Sequence, residues 1–503
     1  MRWLIFVLLV GYSAIASAQE SIDTTILSEI RDQAFHHSQV MDIAFHLTDA
    51  SGPRLSNSPG LKRAQQWSIE AMKEWGMIHT QLEPWGTFGR GWEVLKAYLA
   101  LKEPYYQAMA AYPKAWTNGS GGPFTTQVVL YKPKDSVEQA ALRGTLKGKL
   151  LLLPEYRNPE RPPDVVTQRY ADSDLLKMAN PPIEQPQIPR PAPRPIKRNI
   201  PPVPRPRRPR MEGLENFCKQ EGVVGVLVSG WNNRNGTVFV QAGGPRELTS
   251  PMNQMELELG FEDHQRLQRM LENGMPVTLE GEVDCRALET DSVGYNVIGE
   301  IPGTDKRLKN QLVMLGGHLD SWQGATGATD NGAGAAVMLE VVRILETIHI
   351  RPRRTIRIVL WSGEEQGLLG SRGYVQEHKA DLDKISAYYN LDNGTGKIRG
   401  VYLQEDSAAG PIFHRWLSSF SDLGATTITP ENTGGTDHLS FTDAGVPGFQ
   451  FIQDPIDYED RTHHSNMDNY DHLLSKDLEQ AACIIAAVVY QTAMRDAPIP
   501  RKM

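Results

Sequence analysis

Histidine and carboxylate side chains follow three apolar runs in the second half of this 503-residue sequence. They are His318 and Asp320 after LVMLGG, Glu364 and Glu365 after IRIVLWSG, and Asp392 after SAYYNL. Two further residues of the same types are Asp330, which begins a Gly- and Ala-rich helical segment, and His464 in THHSNMDNYD. If the runs are parallel strands, their carboxyl ends meet at one edge of a sheet, where α/β proteins bind ligands. We therefore expect these side chains to share one site.

The chemistry that this set indicates is metal binding. Imidazole and carboxylate ligands without a thiolate suit zinc or another borderline divalent ion. One carboxylate can bridge two ions, and Asp330 is the predicted bridge. His318 and Asp392 then complete the site of one ion, and Glu365 and His464 complete the other. The predicted cofactor is a pair of zinc ions.

Glu364 and Asp320 are predicted to assist catalysis without binding metal. Adjacent residues at a strand end cannot point at the same atom, so Glu365 can bind metal while Glu364 acts on water. Two ions roughly 3.5 to 4 Å apart lower the pKa of a shared water, and a free carboxylate carries its proton to the leaving amine. Asp320, two residues after His318, is expected to accept the second ring proton of that histidine.

The elements that must position these residues alternate between strands and helices from about residue 292 onward. The segments LVMLGGHLD, RTIRIVLWSG and ISAYYNLD are predicted strands. Helices are predicted over 331–346 and 368–377, and DLEQAACIIAAVVYQTAMR predicts a last, buried helix. This alternation indicates an α/β fold with a mostly parallel, helix-covered sheet.

Two other regions precede this sheet. Helices are expected from about 26 to 95, covering one side of the sheet. From 120 to 288, short runs such as TTQVVLY, GKLLLLP, VVGVLVS and TVFVQ predict a separate β-rich domain. Inside it, 181–210 is too rich in proline to pack as a strand or helix and should form an exposed loop. Residues 19–119 and 289–503 are then predicted to form the main domain.

The first 18 residues have the order of a secretory signal peptide: one arginine, a short apolar run, then Ala16, Ser17 and Ala18. The run is shorter than a bilayer requires, and no later segment is predicted to span a membrane. We therefore expect cleavage after Ala18 and a secreted or periplasmic protein. The net charge of -8 argues against a nucleic-acid-coating protein.

Cysteine usage excludes a thiolate metal cluster. The three cysteines, Cys218, Cys285 and Cys483, are far apart in the sequence and lack the close spacing of a zinc-binding cluster. At most one disulfide is possible. The metal site must therefore be built from histidines and carboxylates.

The motifs GGHLDSWQGATGATDNGAGAAVMLE, LWSGEEQGLLGS, NLDNG, GGTDHLSF and HHSNMD resemble the M28 family of zinc peptidases. The segment LTDASGPRLSNSPGLKRAQQWSIEAMKEWG also resembles the N-terminal part of exported family members, and the β-rich middle resembles an inserted protease-associated domain. The resemblance implies a secreted zinc exopeptidase that hydrolyses short peptides, with Glu364 as general base. It implies the metal ligands His318, Asp330, Glu365, Asp392 and His464. It also implies a cis bond between Asp330 and Asn331, and a position for Asp437 and His438 in the substrate pocket.

Several alternatives remain open on this resemblance. Either His463 or His464 can be the last ligand, and the HSxxD run favours His464. Aminopeptidase action is the first interpretation, while DPIDYEDRTHHS and GHLDSW resemble a branch with carboxypeptidase or dipeptidase activity. Glutaminyl cyclisation at one zinc, or a non-catalytic binding protein on a peptidase fold, would each lack part of the two-metal set. The sequence retains all of it.

Overall fold

The structure is a computed structural model that describes residues 22–155, 172–179, 211–230 and 232–502. The predicted signal peptide, 1–18, and the predicted proline-rich loop, 181–210, lie outside the described residues. The strands are β1 (Ile78–Thr87), β2 (Gly91–Glu103), β3 (Gln107–Ala108), β4 (Ala111–Pro113), β5 (Phe124–Leu130), β6 (Leu150–Leu152), β7 (Gly225–Val228), β8 (Met255–Leu259), β9 (Thr278–Leu288), β10 (Val293–Ile301), β11 (Leu312–His318), β12 (Thr355–Trp361), β13 (Ile385–Asn390), β14 (Ile398–Tyr402), β15 (Thr427–Thr429) and β16 (Gly448–Gln453). The α-helices are α1 (Thr24–His36), α2 (Val40–Leu47), α3 (Pro59–Glu74), α4 (Ser136–Ala141), α5 (Asp172–Ala179), α6 (Met211–Glu221), α7 (Phe261–Glu272), α8 (Ala333–Thr347), α9 (Leu369–Glu377), α10 (Gly410–Leu417), α11 (His438–Thr442) and α12 (Ser475–Met494).

The first sheet has the strand order β1-β10-β12-β11-β13-β16-β14-β15. Its central strands β12, β11, β13 and β16 are parallel neighbours, whereas β1, β10 and β14 join through antiparallel pairs. On β11, Val313 and Leu315 pack toward α8 and α12, and Met314 packs on the other face with Trp361 and Phe441. Because helices cover both faces, these strands are mostly apolar. The predicted α/β class with a helix-covered sheet is confirmed.

Helices α8 and α12 form the inner layer on one face of this sheet. In α8 every residue from Ala333 to Leu345 is buried, so the Ala- and Gly-rich sequence allows close packing against β11. The predicted helices over 331–346 and 368–377 correspond to α8 and α9, and the predicted last helix corresponds to α12. Among the helices of the described residues, none combines the length and the apolar character that crossing a bilayer requires.

Two expectations about local structure are wrong. The helical region does not extend to residue 95, because β1 and β2 follow Gly76. Strand β1 is a largely exposed edge strand whose main-chain pairing with β10 decides its conformation, so its sequence carries little apolar periodicity. The run TVFVQ is not a strand of either sheet. Its Phe239 instead forms an isolated antiparallel bridge with Ser465, which no local pattern could reveal.

The second sheet has the order β3-β2-β9-β5-β6-β7-β8-β4 and its own apolar core. It begins earlier than the predicted boundary at residue 120, because β2 pairs with β9 from Gly91 opposite Leu288 to Glu103 opposite Thr278. The chain thus enters and leaves this sheet through one long antiparallel pair. Its relation to a protease-associated domain stays a prediction.

The three cysteines are all free thiols. Burial raises the pKa of Cys218 and of Cys483 to about 12, so both thiols stay protonated and unreactive at neutral pH. The disulfide that the sequence allowed is not formed.

Candidate metal centre

The predicted site residues meet at the carboxyl ends of the parallel strands. His318 ends β11, Glu364 and Glu365 follow β12, and Asp392 follows β13. Asp330 lies in the tight turn Ala328–Gly332 before α8, and His464 lies in the loop before α12. The parallel register of β11 with both neighbours places these three strand ends side by side. The arrangement is the one that an open α/β sheet favours for ligand binding.

Asp330 stands between two groups of possible metal ligands, His318 with Asp392 and His464 with Glu365. These five residues are called the donor cluster below. Its Oδ1 lies 3.3 Å from His318 Nε2, and that nitrogen is also 3.3 Å from Asp392 Oδ1. Its other oxygen, Oδ2, lies 3.1 Å from His464 Nε2, which in turn is 2.9 Å from Glu365 Oε2. The two oxygens of one carboxylate therefore face two separate histidine–carboxylate pairs.

His318 is held in one tautomer by the main chain. Its Nδ1 donates to the carbonyl oxygen of Asp320 at 2.9 Å, and a carbonyl can only accept. Nδ1 therefore carries a proton, and Nε2 is the ring nitrogen directed at Asp330 and Asp392.

The predicted role of the Asp320 carboxylate needs correction. Its Oδ1 lies 3.8 Å from His318 Nδ1, too far for a hydrogen bond, so the main-chain carbonyl supports the ring instead. The carboxylate accepts from Ser56 Oγ at 2.9 Å and from the amides of Glu364 and Glu365 at 3.3 and 3.4 Å. Because it holds the turn that carries both glutamates, Asp320 is a positioning residue.

The turn that carries Asp330 is fixed by buried hydrogen bonds. Asp468 accepts from the amides of Thr329 at 2.5 Å and Asp330 at 3.1 Å. The Asp330–Asn331 peptide bond is cis, as the resemblance implied. Asn331 donates to the carbonyl of Leu391 at 2.9 Å, and a Cβ on Gly334 would meet that carbonyl oxygen at 2.2 Å. Glycine at 334 is therefore required for α8 to pack against the end of β13.

Arg54 anchors the other side of this turn, and the sequence pattern did not reveal it. The side chain is fully buried and donates to the carbonyls of Leu319 at 2.7 Å, Leu47 at 2.9 Å and Gly327 at 2.7 Å, with a further contact to Thr326. Burial lowers the pKa of Arg54 to about 10, so it remains charged at neutral pH. The only sequence signal is a lone arginine in the loop SGPRLSNS.

Replacing Arg54 with methionine is expected to lower the free energy of unfolding by about 3 kcal/mol or more, because several buried carbonyls lose a charged donor. Urea unfolding followed by circular dichroism measures the change. Arg372→Met on the exposed face of α9 is the matched control and should stay within about 0.5 kcal/mol of the unmodified protein. An unchanged urea midpoint for Arg54→Met would contradict the anchoring role.

His463 is close to the same carboxylate but less well placed than His464. Its Nε2 lies 3.8 Å from Asp330 Oδ2, compared with 3.1 Å for His464, and the two rings are in contact, with centroids 3.7 Å apart and planes tilted by 34°. Tyr458, which the sequence pattern also missed, packs its ring 4.9 Å from that of His463 and is buried. Burial raises the pKa of Tyr458, and Asp330 and Asp392 raise it further. Both side chains therefore border the donor cluster.

Asp437 and His438 are both fully buried. Burial raises the pKa of Asp437 to about 7 and lowers the pKa of His438 to about 4. His438 Nε2 lies 3.2 Å from the carbonyl of Thr433, so it supports the segment before α11. That these two side chains line the substrate pocket stays a prediction.

The donor cluster carries more negative charge than the protein compensates. Burial raises the pKa of Glu365 to about 7, and it also raises the pKa of Glu364, with Asp392 and Asp437 adding to the rise. Among the described residues, Asp330 Oδ2 and Glu365 Oε1 are buried atoms without a hydrogen bond. Buried carboxylate oxygens without donors are costly unless a cation binds them. Two imidazoles and several carboxylates therefore fit a divalent cation site in both composition and unmet bonding.

The fold and the donor cluster together define a metallopeptidase, and the comparisons with known proteins agree. Residues 296–489 match the profile of peptidase family M28. Human carboxypeptidase Q is 32% identical over 458 residues, covering 90% of this chain and 85% of that protein. The chain belongs to peptidase family M28.

Solved structures share the architecture of most of this chain. A peptidase M28 precursor from Shewanella amazonensis SB2B superposes with a TM-score of 0.65 at 24% identity, covering 95% of this chain and 98% of that one. BSAP, a zinc aminopeptidase from Bacillus subtilis, gives a TM-score of 0.55 at 18% identity, covering 91% of this chain and 95% of its own. Both sheets are therefore part of a fold that recurs in other proteins.

Proposed function

We propose that this M28 peptidase is an exported exopeptidase that uses two zinc ions to hydrolyse short peptides. The observation that carries the proposal is the position of Asp330, whose two oxygens face two separate histidine–carboxylate pairs. His318 and Asp392 would hold one ion with Asp330, and Glu365 and His464 would hold the other. Export rests on the sequence of residues 1–18 alone.

The residues around the donor cluster divide the work of hydrolysis. When bound, the zinc ions lower the pKa of an attacking water and polarise the scissile carbonyl. Glu364 is not needed as a ligand, because Glu365 lies 2.9 Å from His464 Nε2 while Glu364 Oε2 lies 3.9 Å from His318 Nε2. The carboxylate of Glu364 accepts a proton from the water and then donates it to the leaving amine. Asp320 holds Glu364 in place, because its carboxylate accepts a hydrogen bond from the main-chain amide of Glu364.

We propose that the enzyme recognises the carboxyl end of its peptide substrate. The sequence alone placed aminopeptidase action first. The likeness to carboxypeptidase Q extends over 90% of this chain, which supports the carboxypeptidase alternative for a dipeptide or another short peptide. Aminopeptidase action remains the second candidate, because the fold is shared with a protein described as a zinc aminopeptidase.

Short peptides with blocked ends distinguish the two directions. We expect the zinc-loaded enzyme to cut free and N-acetylated peptides and to leave C-amidated peptides intact, because a carboxypeptidase must bind the free α-carboxylate. Liquid chromatography of the products measures both the rate and the bond that is cut. Cleavage of free and C-amidated peptides with no cleavage of acetylated ones would establish the aminopeptidase alternative. Cleavage of both blocked forms would contradict exopeptidase action altogether.

A further inference from the structure

The loop that carries His464 is held by residues 238–241, a segment between strands β7 and β8 of the second sheet. Residues 238–241 run antiparallel to 464–466, with Phe239 paired to Ser465. The amide of Val240 donates to the carbonyl of His464 at 2.9 Å, and the amide of Asn466 donates to the carbonyl of Val238 at 3.0 Å. Val238 and Val240 are both buried. The TVFVQ run, whose strand character the sequence overstated, thus forms a clamp on this loop.

The clamp matters because His464 has an unusual backbone conformation. Its φ is 58°, in the left-handed region that residues with a Cβ rarely adopt. Such a conformation persists only when the surrounding structure imposes it. The main-chain bond from Val240 is one of the contacts that do so.

The side chain of Gln241 extends the clamp to the imidazole ring. Its Nε2 lies 2.9 Å from His464 Nδ1, on the opposite side of the ring from Asp330 and Glu365. The main chain of Gln241 is itself fixed, because its carbonyl accepts from the amide of Ala115 at 3.1 Å and from Gln323 Nε2 at 3.3 Å. A terminal amide can present either its nitrogen or, after a half-turn, its oxygen to the same position.

We propose that Gln241 is a positioning residue for His464, so that the segment inserted between the two halves of the peptidase completes its metal centre. The amide restrains the ring with Nε2 directed at Asp330 and Glu365. When Nε2 binds zinc, the ring proton lies on Nδ1, and the Gln241 oxygen accepts it. The proposal rests on the proposed role of His464 as a zinc ligand.

Zinc affinity of the full mature protein, measured by competition with a chromophoric chelator, tests this proposal. Gln241→Leu keeps the size of the side chain but removes its hydrogen bonds. We expect it to lower the affinity for the zinc ion that Glu365 and His464 would hold by about 10- to 100-fold. Gln241→Glu retains an acceptor for the Nδ1 proton and should bind both ions at least as tightly as the unmodified protein. Gln376→Leu, on the exposed face of α9, is the matched control and should change nothing.

The outcomes separate this inference from the proposed function. Because the Gln241 side chain is exposed, neither variant should shift the melting temperature, so a weaker zinc site reports on His464. Equal zinc affinity in Gln241→Leu and the unmodified protein, or equal loss in the leucine and glutamate variants, would overturn the inference. His464→Ala serves as the comparator. If it loses an ion while Gln241→Leu does not, only the inference fails, whereas full retention by His464→Ala would refute both.

Discussion

Replacing Glu364 with glutamine is expected to lower kcat by about 100- to 10,000-fold while leaving the zinc content unchanged. Glutamine has nearly the same shape as glutamate but cannot accept a proton from water. The proposed ligands His318, Asp330, Glu365, Asp392 and His464 are untouched by this change. Loss of turnover with full metal content is therefore the signature of a proton carrier, whereas the loss of a ligand would remove metal as well.

The measurement pairs steady-state hydrolysis of a free dipeptide with zinc analysis of the same preparation. Glu377→Gln is the matched control, because Glu377 is exposed on α9 and distant from the strand ends. It should retain full activity and full zinc. The proposed role of Glu364 is falsified if Glu364→Gln keeps more than about a tenth of the activity, since proton transfer by a positioned base contributes at least 100-fold.

Asp330→Asn is expected to remove both zinc ions and to abolish measurable hydrolysis. Each Asp330 oxygen faces a different histidine, at 3.3 Å for His318 and 3.1 Å for His464, so this one carboxylate reaches both halves of the site. An amide offers one oxygen and no negative charge, so neither ion keeps its bridging carboxylate. Zinc analysis after dialysis against a mild chelator measures the loss. Asp383→Asn, an exposed aspartate between α9 and β13, is the control and should keep both ions.

The number of zinc ions that each variant retains would identify the individual ligands. His464→Ala should keep one ion, because Glu365 loses its imidazole partner while His318 and Asp392 remain. His463→Ala should keep two, because its ring nitrogen is 3.8 Å from Asp330 Oδ2. Two ions retained by Asp330→Asn would exclude a bridge at that position. The reverse order for the two histidines would move the ligand assignment to His463.

The predicted elements of the first sheet hold because each is encoded by neighbouring residues. LVMLGG, IRIVLWSG and SAYYNL are continuous apolar runs, which is the pattern of parallel strands covered on both faces. The exceptions depend on contacts with distant parts of the chain. Strand β1 is exposed and paired mainly through its main chain, and residues 237–241 pair with a distant loop instead of a sheet. Strand β1 carries little apolar periodicity, and the strand-like pattern of TVFVQ does not specify the segment with which it pairs.

The carboxylate of Asp320 turns away from the His318 ring, although the residue spacing favours a contact between them. Two residues beyond a metal-type histidine, a carboxylate is a natural partner for the ring, and spacing alone assigned it that role. The ring nitrogen Nδ1 instead donates to the Asp320 carbonyl at 2.9 Å, while the carboxylate accepts from Ser56 Oγ and from the amides of Glu364 and Glu365. Those partners come from other parts of the chain, so their competition for the carboxylate exists only in the folded protein.

The sequence by itself determined the chemistry of this protein: which imidazoles and carboxylates could bind metal, the strand ends that carry most of them, and the family to which they belong. Residue type and local apolar pattern are properties of short segments, so they can be read directly. The tertiary structure alone decided that Asp330 stands between two histidines, that Arg54 anchors the turn before it, and that Gln241 reaches His464 across 223 residues of chain. These contacts join distant segments, and only packing of the whole chain brings them together.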